Sequence, residues 1–313
     1  YGAIGICNHF AGRFEAATDW YGKALALTQS LGNRSEQCRV LNRLGTTMNQ
    51  LDRYDESNRL YQQALEIVQS RDRIPAPGFN HDGTIDNFWQ DATHVRGIWR
   101  TTTLDSYRTD APQWETILDF DALAAAEGKN WVYKGATCLP PEETRCLVSL
   151  SDGGKDAVTI REFDRATRTF VPAQGRDGGF VLEESKGGAT WVDENTLLVS
   201  RDFGPGTLTS SGYPMIVRVL KRGQTIDQAR TVFTGQPTDV SVSGYTLRDA
   251  DGVVQATLIN RGISFYEGET HRLNADGTTA KLELPAKSNI NALVRGQMVF
   301  TTDQDWTAPS GQE

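Results

Sequence analysis

The sequence predicts a mainly β chain with an α-helical N-terminal part, and three observations support this. All eleven prolines of the 313-residue chain lie at residue 75 or beyond, so residues 1–73 can form uninterrupted helices. Residues 1–73 also contain an internal repeat with a period of 40 residues. The remainder alternates short apolar runs with turn-forming clusters. We therefore expect a helical part, residues 1–73, followed by a strand-rich part, residues 74–313.

The composition excludes several classes of protein. With 38% hydrophobic and 23% charged residues the chain can bury a core, unlike a disordered segment. A net charge of −8 argues against nucleic acid as a partner, because phosphate binding needs clustered Lys and Arg. No run of about 18 apolar residues predicts a membrane span. The first residue is Tyr1, so we expect a truncated N-terminus, and we expect the cytoplasm as the compartment, with the periplasm as the alternative.

The 40-residue repeat places the same residue types at equivalent positions. The pairs are Gly5 with Gly45, Tyr21 with Tyr61, and Ala24 with Ala64. These residues resemble the tetratricopeptide repeat, a helix–turn–helix unit, over about residues 1–70. The resemblance implies that each glycine lies where two paired helices approach closely, and that Ser57 takes a place commonly held by Ala. An unrelated antiparallel helical hairpin is the alternative, and we expect Cys7 and Cys38 to be packing residues within these helices.

The strand-rich part predicts repeated antiparallel modules. Strands such as 146–151 and 157–164 flank the turn at 152–156. Modules of this kind can be drawn at 80–120, 130–172, 180–234, 237–284 and, in part, 287–313. Four-stranded modules at this spacing favour an incomplete β-propeller of about four to five blades. A β-sandwich is the alternative.

Longer motifs sharpen this interpretation. They are NFWQD at 87–91, VRGIWR at 95–100, WETILD at 114–119, EGKNWV at 127–132, GATCLPP at 135–141, DFGPG at 202–206 and SGYP at 211–214. Together they resemble the N-terminal propeller of prolyl oligopeptidase family serine peptidases, over about residues 66–306. The step at residues 72–75 is similar to that family's entry into its first blade.

The resemblance implies a partner and a function. In this family a separate α/β-hydrolase domain carries the catalytic Ser, Asp and His, and the propeller restricts access to short peptides. We therefore expect a non-catalytic, substrate-gating part of a serine peptidase, with a missing or separate hydrolase domain as its partner. The alternative is a scaffold whose helical repeats and blades bind a peptide or protein. An open propeller also exposes strand edges, so we expect self-association.

The residues themselves indicate no catalytic, cofactor or metal site. The Gly-x-Ser-x-Gly pattern of a hydrolase nucleophile is absent. The four histidines are isolated in sequence, and we expect surface or packing roles for them: His9, His81, His94 and His271. No Cys-x-x-Cys or His-x-x-x-His spacing suggests zinc. The acidic run at 249–252 is better explained as a hairpin turn than as a calcium loop.

Two further groups of residues have alternative interpretations. Cys138 and Cys146 flank a short hairpin, where they form a disulfide or serve as two small core residues. Tryptophans recur along the strand-rich part at positions 89, 99, 114, 131, 191 and 306. We expect them to pack blade against blade, with an aromatic binding face as the alternative.

Overall fold

A computed structural model of the chain describes residues 1–31, 33–68, 77–173 and 178–307. The expected step at residues 72–75 lies outside these described residues. Two compact units are present: Tyr1–Ala76 together with Phe88–Val95, and Pro77–Asn87 together with Arg96–Glu313. Within the described ranges, no helix combines the length and the apolar character needed to cross a membrane.

Helices build the first unit and follow the 40-residue repeat. They are α1 (Gly2–Phe10), α2 (Phe14–Ser30), α3 (Arg34–Gln50) and α4 (Tyr54–Val68). Equivalent residues, Gly12 and Asp52, take left-handed backbone conformations in the α1–α2 and α3–α4 turns, with φ of 71° and 56°. The Asn33 side chain caps α3 by accepting a hydrogen bond from the backbone N–H of Glu36.

Close helix approach explains both repeat glycines. A Cβ atom added at Gly5 would lie 2.6 Å from the Tyr21 ring, and one at Gly45 would lie 2.7 Å from the Tyr61 ring. The predicted close approach is therefore confirmed. Ser57 is fully buried, and its hydroxyl donates to the Gly45 carbonyl at 2.8 Å. A small residue is needed here, and the serine hydroxyl has a partner.

The second unit is a series of antiparallel sheets that form propeller blades. Blade one is β1 (Gly78–Phe79), β2 (Thr84–Trp89), β3 (Ile98–Thr103) and β4 (Glu115–Asp119), and the last two residues of β2 belong to the segment grouped with the first unit. Blade two is β5 (Trp131–Cys138), β6 (Arg145–Asp152), β7 (Val158–Asp164), β8 (Thr169–Phe170) and β9 (Val181–Ser185). Blade three is β10 (Gly187–Asp193), β11 (Thr196–Arg201), β12 (Ile216–Lys221) and β13 (Arg230–Thr234).

Blade four and a two-stranded sheet complete the second unit. Blade four is β14 (Ser241–Arg248), β15 (Val254–Gly262), β16 (Gly268–Leu273) and β17 (Thr279–Lys281). The two-stranded sheet is β18 (Ser288–Val294) and β19 (Gln297–Thr302). The mainly β class with a helical N-terminal part and an incomplete propeller is confirmed.

The structure differs from the predicted modules at two places. Strand β9 pairs with β7, so it belongs to blade two and not to the module at 180–234. Two short helices, α5 (Leu104–Tyr107) and α6 (Phe120–Glu127), lie in and after blade one. Asp119 caps α6 by accepting from two backbone N–H groups, and Gly128 ends the helix at φ 62°. These local signals make α6 a helix among strands.

Apolar clusters between adjacent sheets form the core of the second unit. Trp191, Leu197 and Val199 of blade three pack with Leu147 and Leu182 of blade two. A second cluster joins blade three to blade four and contains Leu198, Val217, Val242 and Ile259. Because strand residues alternate between faces, one strand such as β11 supplies both clusters.

Candidate functional site

Blades one and two are joined by a salt bridge beside two aromatic rings whose planes are tilted by 42°. Arg165, after β7, donates to the Asp86 carboxylate of β2 at 2.8 Å, and both side chains are largely buried. The Trp99 indole N–H donates to the same carboxylate at 3.0 Å. The Trp99 ring of blade one lies 5.9 Å from the Phe163 ring of blade two, measured between ring centroids. Burial raises the pKa of the Tyr133 hydroxyl, and the Asp86 charge raises it further.

Blades two and three are joined by a buried carboxylate. The Glu162 side chain is fully buried in β7. Arg222, after β12, donates two hydrogen bonds to this carboxylate, at 2.8 and 3.2 Å. The Phe180 backbone N–H donates to it at 2.9 Å, and Arg145 donates at 3.4 Å. We call the Glu162–Arg222 pair the inter-blade clamp.

A tryptophan adds a second bond between blades two and three. The Trp191 indole N–H of β10 donates to the Thr137 carbonyl of β5 at 2.9 Å. Trp191 is 1% exposed, and Trp99 is also buried. For these two residues the predicted packing of blade against blade is confirmed.

The first strands of blades three and four are held by side-chain bonds to backbone. The Thr190 hydroxyl donates to the Gly244 carbonyl at 3.1 Å, and Arg248 donates to the carbonyls of Trp191 and Val192 at 2.9 and 3.0 Å. A Cβ atom at Gly244 would lie 2.8 Å from the Leu198 side chain, so this strand packs closely on blade three.

Blade four contains a chain of alternating charges. Asp239, 2% exposed, accepts two bonds from Arg261 at 2.8 and 3.0 Å, which lower the pKa of its carboxyl. Arg261 also pairs with Glu269 at 3.2 Å. A hydrogen bond from Lys281, with smaller contributions from His271 and Arg261, lowers the pKa of Glu269 to about 2. Glu269 is therefore ionised over the whole physiological range.

Comparison with known proteins identifies this architecture. A family model described as the prolyl oligopeptidase N-terminal beta-propeller domain matches residues 46–298. The chain belongs to the prolyl oligopeptidase family through this propeller domain. A tetratricopeptide repeat model matches residues 1–70, which identifies the helical unit.

Two curated relatives and two solved structures are similar to this chain. An uncharacterized peptidase of Sinorhizobium fredii is 47% identical over 269 residues, covering 85% of this chain and 36% of the relative. An uncharacterized peptidase of Rickettsia prowazekii is 28% identical over 253 residues, covering 77% of this chain and 34% of the relative. The structure of a post-proline cleaving enzyme from Rickettsia typhi is 27% identical at TM-score 0.70, covering 79% of this chain and 36% of that one. The structure of oligopeptidase B from Leishmania major shares the fold at TM-score 0.54. It is 17% identical, and the match covers 82% of this chain and 36% of that one.

The chain spans about a third of the length of the curated relatives it matches. The family match over residues 46–298 lies mainly in the strand-rich part of the chain.

Each predicted histidine role is supported by its surroundings. His9 contacts the Thr47 hydroxyl at 3.0 Å, and His94 contacts the Asp91 carboxylate at 3.0 Å. His81 is exposed. His271 contacts Glu269 at 3.3 Å and lies 4.7 Å from the Phe233 ring. Within the described ranges, no hydrogen bond joins an imidazole to a serine hydroxyl.

The cysteines and the acidic loop have defined places. Cys138 and Cys146 are cross-strand partners on β5 and β6, and the structure joins them in a disulfide with Cα atoms 3.9 Å apart. Cys7 is exposed, so the expected packing role is wrong for this residue, whereas Cys38 is partly buried. The Asp249 side chain accepts from the backbone N–H groups of Asp251 and Val253, which makes the run a hairpin turn between β14 and β15. The described residues contain no cluster of three or more metal-ligating side chains.

Sequence inspection missed the inter-blade clamp, although one signal was present. Glu162 lies two residues after the core residue Ile160, so strand alternation places a carboxylate on a buried face. Such a group requires a cationic partner. Arg222 is 60 residues away, and nothing local identifies it.

Proposed function

We propose that this chain is the non-catalytic, substrate-gating propeller part of a prolyl oligopeptidase-like serine peptidase, with an α/β-hydrolase domain as its partner. The observation that carries the proposal is the family match over residues 46–298, which begins within α3 and includes all four blades. The parent activity is serine-type hydrolysis of short peptides.

The blade interfaces provide the basis for gating. Adjacent blades are held by apolar packing and by buried charged pairs such as Arg165–Asp86 and Glu162–Arg222. A buried pair resists separation, since pulling the blades apart leaves an uncompensated charge. Firmly held blades exclude folded or long chains from an enclosed catalytic domain and admit short peptides.

A chimeric peptidase tests this function. The matching 269-residue region of the Sinorhizobium fredii peptidase would be replaced by the corresponding region of this chain. We expect the chimera to hydrolyse a short fluorogenic prolyl peptide and to leave an unfolded polypeptide of 100 or so residues intact.

A variant of the chimera separates gating from simple support. In Glu162→Gln, the weakened clamp should increase cleavage of the long substrate relative to the short one. The matched control is Glu184→Gln, which removes an exposed carboxylate paired with Lys155 and should keep the length limit. Equal cleavage of both substrate lengths by the unmodified chimera would contradict the gating function. Unchanged short-peptide turnover in each variant shows that the protein has folded.

A second function, protein binding, is favoured by exposed apolar residues on the helical unit. Tyr1, Ile4 and Phe10 of the first helical segment are 58%, 43% and 85% exposed. Affinity capture with the full chain and with a chain lacking residues 1–70 tests this scaffold function. Partners that remain bound without residues 1–70 would contradict it.

Two further points concern the surroundings of the chain. The compartment stays the prediction made from the sequence, the cytoplasm with the periplasm as the alternative; the Cys138–Cys146 disulfide favours the periplasm, because cytosolic thiols are kept reduced. Recovery of this pair as a disulfide from cells lysed in alkylating reagent would indicate the periplasm. We also propose self-association through the outer strand β19, because in the described ranges this strand pairs with β18 alone.

A further inference from the structure

The turn between β5 and β6 is closed by the Cys138–Cys146 disulfide, and we call residues 139–144 within it the hairpin tip. The two cysteines are opposite one another in the β5–β6 register. Cys146 is fully buried, whereas Cys138 is only partly buried, and Pro141 and Glu142 of the hairpin tip are exposed. A small thiol can therefore approach the bond from the Cys138 side.

The hairpin tip contacts blades one and four. The Glu143 carboxylate accepts a hydrogen bond from the His81 backbone N–H, in the β1–β2 turn of blade one, at 2.9 Å. Pro140 lies against the β14–β15 turn of blade four, because a Cβ atom added at Gly252 would lie 3.0 Å from the Pro140 Cβ. Both contacts are made by residues that lie between the two cysteines in the chain. One short turn of blade two thus joins two other blades.

Two backbone hydrogen bonds accompany the disulfide at the hairpin tip. The Leu139 N–H donates to the Arg145 carbonyl at 2.8 Å, and the Glu143 N–H donates to the Leu139 carbonyl at 2.9 Å. Hydrogen bonds at an exposed turn open far more readily than those of a core strand. The disulfide restricts this opening, because it keeps the two ends of the short turn together. The contacts with blades one and four therefore depend on the disulfide.

The strands that adjoin the hairpin tip are held by contacts other than the disulfide. The Thr137 carbonyl accepts from the Trp191 indole N–H of blade three at 2.9 Å, and Arg145 donates to Glu162 of the inter-blade clamp at 3.4 Å. Strand β6 pairs with β5 on one side and with β7 on the other. Opening the disulfide should therefore free the hairpin tip and leave the rest of blade two in place.

We propose that the Cys138–Cys146 pair is a redox-sensitive switch, in which the disulfide holds the hairpin tip against blades one and four and reduction by a dithiol releases it. A thiolate of the dithiol attacks the Cys138 sulfur, the S–S bond breaks, and Cys146 leaves as a thiolate that takes up a proton. The second thiolate of the dithiol then attacks the reductant's own sulfur in the mixed disulfide and releases Cys138, which is also protonated. The protein gains two electrons and two protons, and the dithiol becomes a disulfide. The proposal is independent of the peptidase function.

Hydrogen–deuterium exchange of the 313-residue chain, measured with the pair oxidised and then in dithiothreitol, tests the proposal. Cys7 and Cys38 are replaced by Ser, so that alkylation followed by mass spectrometry counts the thiols of the pair alone. On reduction we expect the backbone amides of His81 and Glu143 to exchange at least about fivefold faster, because the hairpin tip opens more often. The amides in the β6–β7 ladder should keep their exchange rates.

Two variants show whether the effect passes through these residues. With both Cys138→Ser and Cys146→Ser, the His81 amide should exchange at the fast rate with or without dithiothreitol. In Glu143→Ala, which retains the disulfide, the His81 amide loses its acceptor. It should therefore exchange at the fast rate in the oxidised chain, with no further increase on reduction.

Three results would overturn the proposal. The first is a pair that dithiothreitol leaves oxidised while the chain is folded, and the second is a His81 exchange rate that reduction does not change. The third is equal acceleration of His81 and of the β6–β7 ladder, since the disulfide would then stabilise the whole blade. The same comparison on the parent chain with all four cysteines needs no substitution, so a variant that fails to fold leaves the test intact.

Discussion

Removal of the Glu162 carboxylate charge is predicted to weaken the contact between blades two and three. Glu162 is fully buried and accepts from Arg222, from Arg145 and from the Phe180 backbone. In Glu162→Gln the side chain keeps its size but directs an NH2 group toward cationic donors. In Arg222→Met the carboxylate stays buried and loses its two shortest side-chain hydrogen bonds.

The expected size of the effect follows from the burial. Breaking a buried ion pair by removing one partner costs about 3–5 kcal/mol of unfolding free energy. Replacing both partners by apolar groups is often close to neutral. We therefore expect each single variant to lose about 3 kcal/mol or more and the double variant, Glu162→Leu with Arg222→Met, to lose less than either single variant.

Urea unfolding of the 313-residue chain measures these differences. Tryptophan fluorescence follows the propeller, because Trp99 and Trp191 are buried at blade interfaces. A separate circular dichroism signal follows the helices, since two compact units need not unfold together. The matched control is Glu184→Gln, which breaks an exposed pair with Lys155 and should cost less than about 1 kcal/mol.

One result would refute this reasoning. If Glu162→Gln destabilises the propeller no more than Glu184→Gln does, the buried carboxylate does not hold the blades together. A double variant that is less stable than both singles would show that packing, and not charge, dominates at this position.

Three further predictions use other parts of the structure. Gly45→Ala should destabilise the helical unit by about 1–3 kcal/mol, because its Cβ would lie 2.7 Å from the Tyr61 ring. The control Gly22→Ala should not destabilise the unit, since no atom lies within 4 Å of the added Cβ. Equal melting temperatures of the two variants would contradict the predicted clash. The pKa of Glu269 is lowered from 4.5 to about 2, so its stabilisation is present above pH 4.5 and lost as the pH falls toward 2. The unfolding free energies of wild type and Glu269→Gln should therefore converge as the pH falls through that window. A constant difference between the two across the window would contradict this prediction. Strand β19 pairs only with β18 in the described part of the chain, so its outer edge can pair with another molecule. Val299→Lys should therefore reduce the concentration-dependent light scattering caused by self-association. A parent chain that is monomeric at high concentration would contradict self-association through this edge.

The features predictable from sequence were those fixed by local spacing. The repeat of Gly5 and Tyr21 at Gly45 and Tyr61 predicted four helices and their close contacts, since helical periodicity and residue size act over a few residues. Strands β6 and β7 could be predicted because short apolar runs lie on either side of a glycine-containing turn.

The remaining features depend on long-range contacts. Strand β9 joins blade two because it pairs with β7 at Leu182 and Ile160, and the intervening residues give no signal of this return. The exposure of Cys7 contradicts its expected packing, because burial at this repeat position comes from a neighbouring repeat and not from its own helix. The partner of Glu162 is likewise set by the stacking of blades.

Hydrolysis of a fluorogenic prolyl peptide by the isolated 313-residue chain tests the central claim most directly. We predict no turnover by this chain alone, whereas the chimera that supplies a hydrolase domain is active. Turnover by the isolated chain that a serine-directed inhibitor abolishes would contradict a purely gating role.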